Sequence, residues 1–187
     1  MAYIGLAKPF VATLTETPDG ATYSNGFAFG KAVSLDISPE YNEASLYGDN
    51  QQVENVKEFK QATITLGTTT IPKEAYNAMF GHAVSGENQN TITYKTSDYS
   101  KYVGFGCYTD EIVDGTRKYT ATWIHKVNFA QQQESYQTKG DSVEFKTPEI
   151  TGVAMGLSAT SEWREVKIFD TEEAAIEYLK GKAGIAA

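Results

Sequence analysis

The clearest pattern in the chain is an alternation of apolar and polar residues with a period of two, as in a β-strand with one buried face. Phe27, Phe29, Val33, Leu35 and Ile37 alternate with Ala28, Gly30, Ala32, Ser34 and Asp36, which predicts one continuous strand with Lys31 laying its aliphatic stem along a sheet edge. A second strand is predicted where Ile64 and Leu66 share a face opposite Thr63 and Thr65. Residues 102–113 and 117–129 read as the arms of a long hairpin, because Asp114-Gly115 between them tolerates the positive φ of a tight turn. In its second arm Tyr119, Ala121, Trp123, His125, Val127 and Phe129 fall on one face, which makes His125 a hydrogen-bonded core residue. Shorter strands are predicted over 10–15, closed by Pro18-Asp19-Gly20, and over 91–95, 142–146, 150–158 and 163–169.

Helical spacing occurs twice. After Ile71-Pro72, the positions of Ala75, Met79 and Phe80 predict a short helix ending near Gly81, with His82 as a capping or solvent-facing residue. Asp170-Thr171-Glu172-Glu173 has capping-box spacing and opens a C-terminal helix carrying Ala174, Ala175, Ile176 and Leu179. The predicted fold is therefore mainly β: one domain over 1–187, an antiparallel β-sandwich or barrel with a short helix after the third strand and a C-terminal helix.

The stretch over 39–56 fits none of these patterns. It holds Glu40, Glu43, Asp49 and Glu54, no Lys or Arg, and only a few large apolar side chains, Tyr41, Leu46, Tyr47 and Val53. Such a segment reads as a long irregular arm between two strands, too polar to fold on itself. Its backbone groups then need partners outside the local ladder. The polar stretch over 130–139 reads as a second exposed loop.

Composition narrows the function classes. A chain of 187 residues with 41% hydrophobic and 21% charged residues is an ordinary globular domain. Its net charge of −8 argues against a protein that grips nucleic acid, which needs clustered Lys and Arg. Cys107 is the only cysteine, so no internal disulfide forms and a reducing compartment is expected. The N-terminal residues do not read as a signal peptide, and no stretch reaches the length of a membrane helix.

Candidate chemistry is sparse. With His82, His125 and Cys107 as the whole set of soft ligands, neither a zinc site nor a Cys-His nucleophile is expected. Asp110, Glu111 and Asp114 cluster at a hairpin end and read as a solvated turn, although paired acids there could in principle serve glycoside hydrolysis. The acids of the 39–56 arm lack the ligand ladder of a calcium loop. No catalytic residue, metal or cofactor is expected. A sheet edge with a polar arm points instead to self-association. Twelve Tyr, nine Phe and two Trp leave a monomeric carbohydrate-binding β-sandwich module as the alternative.

A set of motifs then carries a resemblance. Ile4-Gly5-Leu6-Ala7-Lys8-Pro9, Gly30-Lys31-Ala32-Val33 leading into Ser38-Pro39, Ala44-Ser45-Leu46-Tyr47-Gly48-Asp49-Asn50 followed by Val53-Glu54, and Thr138-Lys139-Gly140-Asp141-Ser142-Val143-Glu144-Phe145 occur in this order. Together they resemble the major tail tube proteins of long-tailed, non-contractile bacteriophages of Gram-positive hosts. The resemblance implies a structural virion subunit, assembled in the host cytoplasm, whose hexameric rings stack into a tail tube for DNA delivery. Its partners would be copies of itself and the tape measure, tail terminator and distal tail proteins, with DNA passing an acidic lumen unbound. By the same resemblance 39–56 is the arm that reaches a neighbouring subunit. Tyr41, Leu46, Tyr47, Gly48, Asp49 and Val53 are its contact residues, with Gly48 allowing its bend. Residues 130–139 and the N-terminus are candidates for ring-to-ring contacts, and no extra immunoglobulin-like C-terminal domain is expected.

Overall fold

A computed structural model of the chain describes residues 2–130, 138 and 147–185. Ten strands and two α-helices are present among them. They are β1 (Ala2–Thr17), β2 (Gly20–Ala28), β3 (Ala32–Gly48), β4 (Gln51–Thr68), α1 (Lys73–Ala78), β5 (Ala83–Ser85), β6 (Thr91–Thr93), β7 (Tyr102–Val113), β8 (Thr116–Ala130), β9 (Glu149–Met155), β10 (Arg164–Phe169) and α2 (Glu172–Lys182). The main antiparallel sheet runs β2-β1-β7-β8-β9-β4-β3, with β10 also paired to β8, while β5 and β6 form a small hairpin. The sheet doubles over, so that β3 returns against β1 and the architecture is a sandwich.

Two apolar clusters hold it together. Inside the sandwich Val11, Ile64, Leu66, Phe105, Phe129 and Ile150 are buried with Met79 and Phe80 at the α1 end. On the outer face of β1, β7 and β8, Phe10, Ala12, Tyr108 and Trp123 are covered by Ala175, Leu179 and Ala183 of the α2 region. The middle strands thus bury both faces. Trp123 fits because Gly104 and Gly106 lie beneath it; a Cβ on Gly106 would meet its ring at 2.4 Å. Thr171 caps α2 by accepting from the Ala174 N–H, and Lys182 donates to Glu165 at 2.6 Å.

Several expectations need correction. The alternation over 27–37 is not one strand: Phe29, Gly30 and Lys31 turn the chain, with Gly30 at φ 59°, and Lys31 is exposed at this link. A Gly30 Cβ would meet the Thr70 carbonyl at 2.7 Å, so strand-like apolar spacing conceals a corner. This division puts the short helix after β4. The face assigned to the second hairpin arm is also divided. Val103 pairs with Val127 but Phe105 with Ile124, so β8 holds one extra residue in a β-bulge at His125-Lys126. Tyr119, Ala121 and Trp123 face α2, whereas Val127 and Phe129 return to the sandwich interior. The predicted strand over 142–146, and the loop 130–139 apart from Ala130 and Thr138, lie outside the described residues.

His125 is buried and hydrogen-bonded, with Nδ1 3.1 Å from the Tyr23 hydroxyl. His82 is not at the solvent: it is buried with Nδ1 2.8 Å from an Asp98 carboxylate oxygen. Glu111 likewise departs from a solvated turn, being buried with Oε1 accepting from Thr120 at 2.5 Å.

Two outcomes follow from this packing. Leu179→Ala is expected to lower unfolding free energy by about 2–5 kcal/mol in chemical denaturation, because α2 covers the Trp123 cluster through it. The second concerns Glu16. Lys126 donates to it at 2.5 Å and the Ser158 N–H at 2.9 Å; the ammonium above all holds its carboxyl below the ordinary 4.5. A depressed folded-state pKa stabilises fully above the unfolded value and is lost as pH falls through the depressed one. Glu16→Gln should therefore cost about 1 kcal/mol at neutral pH, allowing for screening, and nothing at a pH below both values.

Candidate functional site

The 39–56 segment is not an irregular arm but the outer half of a β-hairpin. Strands β3 and β4 pair from Ala32↔Thr68 out to Gly48↔Gln51, with bulges at Val33, Lys60 and Val53, so the ladder satisfies most of the ribbon's own backbone. Asp49 and Asn50 form its two-residue turn, at φ 50° and 62°. Asp and Asn tolerate this left-handed region because their short side chains bond locally. The bend therefore lies at Asp49-Asn50, and Gly48 is an ordinary strand residue paired with Gln51.

Cross-strand side-chain pairs stiffen the ribbon. Asn55 donates to Glu43 at 2.6 Å and Lys57 lies 3.4 Å from the same carboxylate; the amide bond first, then the ammonium, holds Glu43 below the usual carboxylate range. Glu40 accepts from Gln61 at 3.0 Å and has Lys60 at 3.7 Å. The root is aromatic. Phe59 stacks on Trp163 at a centroid distance of 4.7 Å and 15° between planes, and Tyr41 meets Phe59 edge-on at 6.2 Å. Tyr41 is thus half engaged at the base, whereas Leu46, Tyr47 and Val53 are 60%, 67% and 66% exposed towards the tip. Val53 is the extra residue of a bulge, since Leu46 pairs with Glu54 but Tyr47 with Gln52.

Three contributors were missed in sequence reasoning. Ala44 and Val56 pair across the ribbon and extend its exposed apolar stripe towards Leu46. Trp163 arrives from a distant turn to clamp the root. The signal for the first two was present: a turn-competent Asp-Asn dipeptide flanked by period-two positions.

A second feature lies at the other end of β3. A cleft of about 540 Å³ opens where β1, β3, β7, β8 and β10 converge. Its floor is the inner face of the β7–β8 hairpin, with Thr109, Thr120 and Thr122 beside Cys107, whose burial pushes the thiol up to about 12. Its mouth is apolar, with Ile4, Val33 and Val166 exposed around it, and Arg164 supplies a positive charge. Ile4 and Val33 are each the extra residue of a bulge, opposite β7 and β4 respectively. Such bulges re-aim side chains out of a regular ladder.

Among the described residues no three His, Cys, Asp or Glu gather as metal ligands, and no helix is long and apolar enough to cross a membrane. Compared with family models and with curated proteins, the chain gives no match.

The Phe59–Trp163 stack joins the root of the ribbon to the body. Trp163→Ala should cost about 0.5–1.5 kcal/mol of root stacking. Hydrogen exchange at ribbon amides beyond Phe59 is expected to accelerate, while amides of β7 and β8 keep their protection.

Proposed function

We propose that this chain is a structural subunit that assembles with copies of itself into stacked hexameric rings, the tail tube of a long-tailed bacteriophage. The observation that carries the reading is the ribbon. It is a paired two-stranded element that projects Leu46, Tyr47 and Val53 into solvent. Exposed apolar side chains on a hydrogen-bonded projection favour a partner surface over a flexible loop. The ordered motifs that resemble major tail tube proteins supply the identity of the assembly, and the net charge of −8 suits a lumen that repels a phosphate backbone.

In this reading the unit grows through different surfaces on donor and acceptor, as rings and tubes require. Tyr41 belongs to the root of the contact, Leu46, Tyr47 and Val53 to its apolar tip, and Asp49 to the turn that presents the tip. The carbohydrate-module reading has less support. Trp123 is buried beneath α2, and the partly buried Trp163 is stacked on Phe59 with the Arg164 guanidinium 5.4 Å from its ring, so neither indole is presented as an open platform.

Purified protein is expected to form rings or tubes with rising concentration in electron micrographs. Leu46→Asp with Tyr47→Ala should abolish them and leave a folded monomer, since both side chains are exposed and contribute little to the body. Unchanged tubes would remove the ribbon from the interface, and a wild-type chain monomeric at every concentration would sink the whole reading.

A further inference from the structure

The ribbon and the cleft are built on one strand. β3 walls the cleft with Val33, Leu35 and Ile37 and then runs on to the tip. At roughly 3.3 Å per residue, Leu46 stands about 30 Å from Ile37. A paired ladder cannot fold back over that distance, so the tip never reaches its own cleft.

We propose that the cleft between β1, β3 and β10 is the receptor for the ribbon tip of a second copy of this chain. The proposal rests on the self-assembly reading and names the surface that receives the ribbon. The two surfaces match in chemistry. The mouth offers Ile4, Val33 and Val166, and the tip offers Leu46, Tyr47 and Val53, all of them exposed in the single chain. Charge also matches: Arg164 lies in the cleft, while the tip from Gly48 to Glu54 carries Asp49 and Glu54 and no cation. Bulges set out the apolar groups on both sides, Ile4 and Val33 on the acceptor and Val53 on the donor. Donor and acceptor are separate surfaces of one chain, so a copy whose cleft is filled still presents its own tip to a further copy, and the contact propagates into rings or tubes wherever the pair is not reciprocal.

A mixing experiment tests this directly. The Leu46→Asp/Tyr47→Ala chain has a dead tip and an intact cleft; a Val166→Asp chain has an intact tip and a dead cleft. Val166 is exposed, and circular dichroism checks that both variants fold. Neither alone should assemble, whereas an equimolar mixture should give a species of twice the monomer mass in sedimentation. Placing Arg164→Glu on the dead-tip chain should weaken this pairing roughly fivefold, the scale of an exposed ion pair, and Glu54→Arg on the other chain should restore it. An anilinonaphthalene sulfonate probe bound to the wild-type cleft should be released on assembly.

Val166→Asp chains that assemble like wild type, while dead-tip chains do not, would overturn the cleft as receptor and leave the ribbon reading intact. A mixture that stays monomeric, or a probe retained in the polymer, would also overturn it. The retained probe would make the cleft a site for small apolar ligands. A wild-type chain that never associates removes the self-assembly reading itself.

Discussion

Successive residues of a strand face opposite sides of a sheet, and this fold depends on one strand breaking that alternation once. The extra residue at His125-Lys126 lets β8 serve two apolar layers. Before the bulge Trp123 faces α2; after it Val127 and Phe129 face the sandwich interior. A regular strand would send Val127 and Phe129 outwards and turn Lys126 and Asn128 into the core, at the cost of burying unmatched polar groups. With the bulge in place, Lys126 instead reaches Glu16, and Asn128 donates to the Ser100 carbonyl. The glycines of β7 are the other half of the arrangement. Gly104 and Gly106 leave the outer face open where the indole lies, so α2 has a smooth surface to cover.

The ribbon inherits its order from that body. A two-stranded hairpin with no core of its own is marginal in water. Here its inner half is part of the main sheet, where β4 pairs with β9 from Ala62 to Gly67, and its root is held by the Phe59–Trp163 stack. A projecting, largely polar element can then be regular while leaving its apolar side chains without cover from their own chain. The same strand carries an open cleft at one end and an uncovered tip at the other. In the proposed assembly, that polarity along β3 would set the tip of one copy against the cleft of the next.

Much of this was legible in the sequence wherever a pattern was local. The turn at Asp114-Gly115, the capped C-terminal helix, the buried hydrogen-bonded His125 and the mainly β architecture follow from residue spacing and turn chemistry. The segment over 39–56 stands out in the sequence by its acids and its scattered Leu46, Tyr47 and Val53, but its paired form does not. Asp49-Asn50 is a weaker turn signal than Asp-Gly, and the polar residues on both strands hid a ladder that needs no buried face. The burial of His82 and Glu111 does not show in their local patterns, because Asp98 and Thr120, 16 and 9 residues away, meet them only through the fold.

The sequence by itself determined the mainly β class, the turn at Asp114-Gly115 and the capping of α2, since these depend on φ preferences and periodicity within a few residues. Only the tertiary structure decided the register. The corner at Gly30, the bulges that expose Ile4, Val33 and Val53, and the face change in β8 are relations between strands, and an inserted residue leaves no local mark when apolar spacing continues through it. The pairing of Trp163 with Phe59, and the cleft where five strands converge, arise from the doubling of the sheet. They join residues that no local period relates.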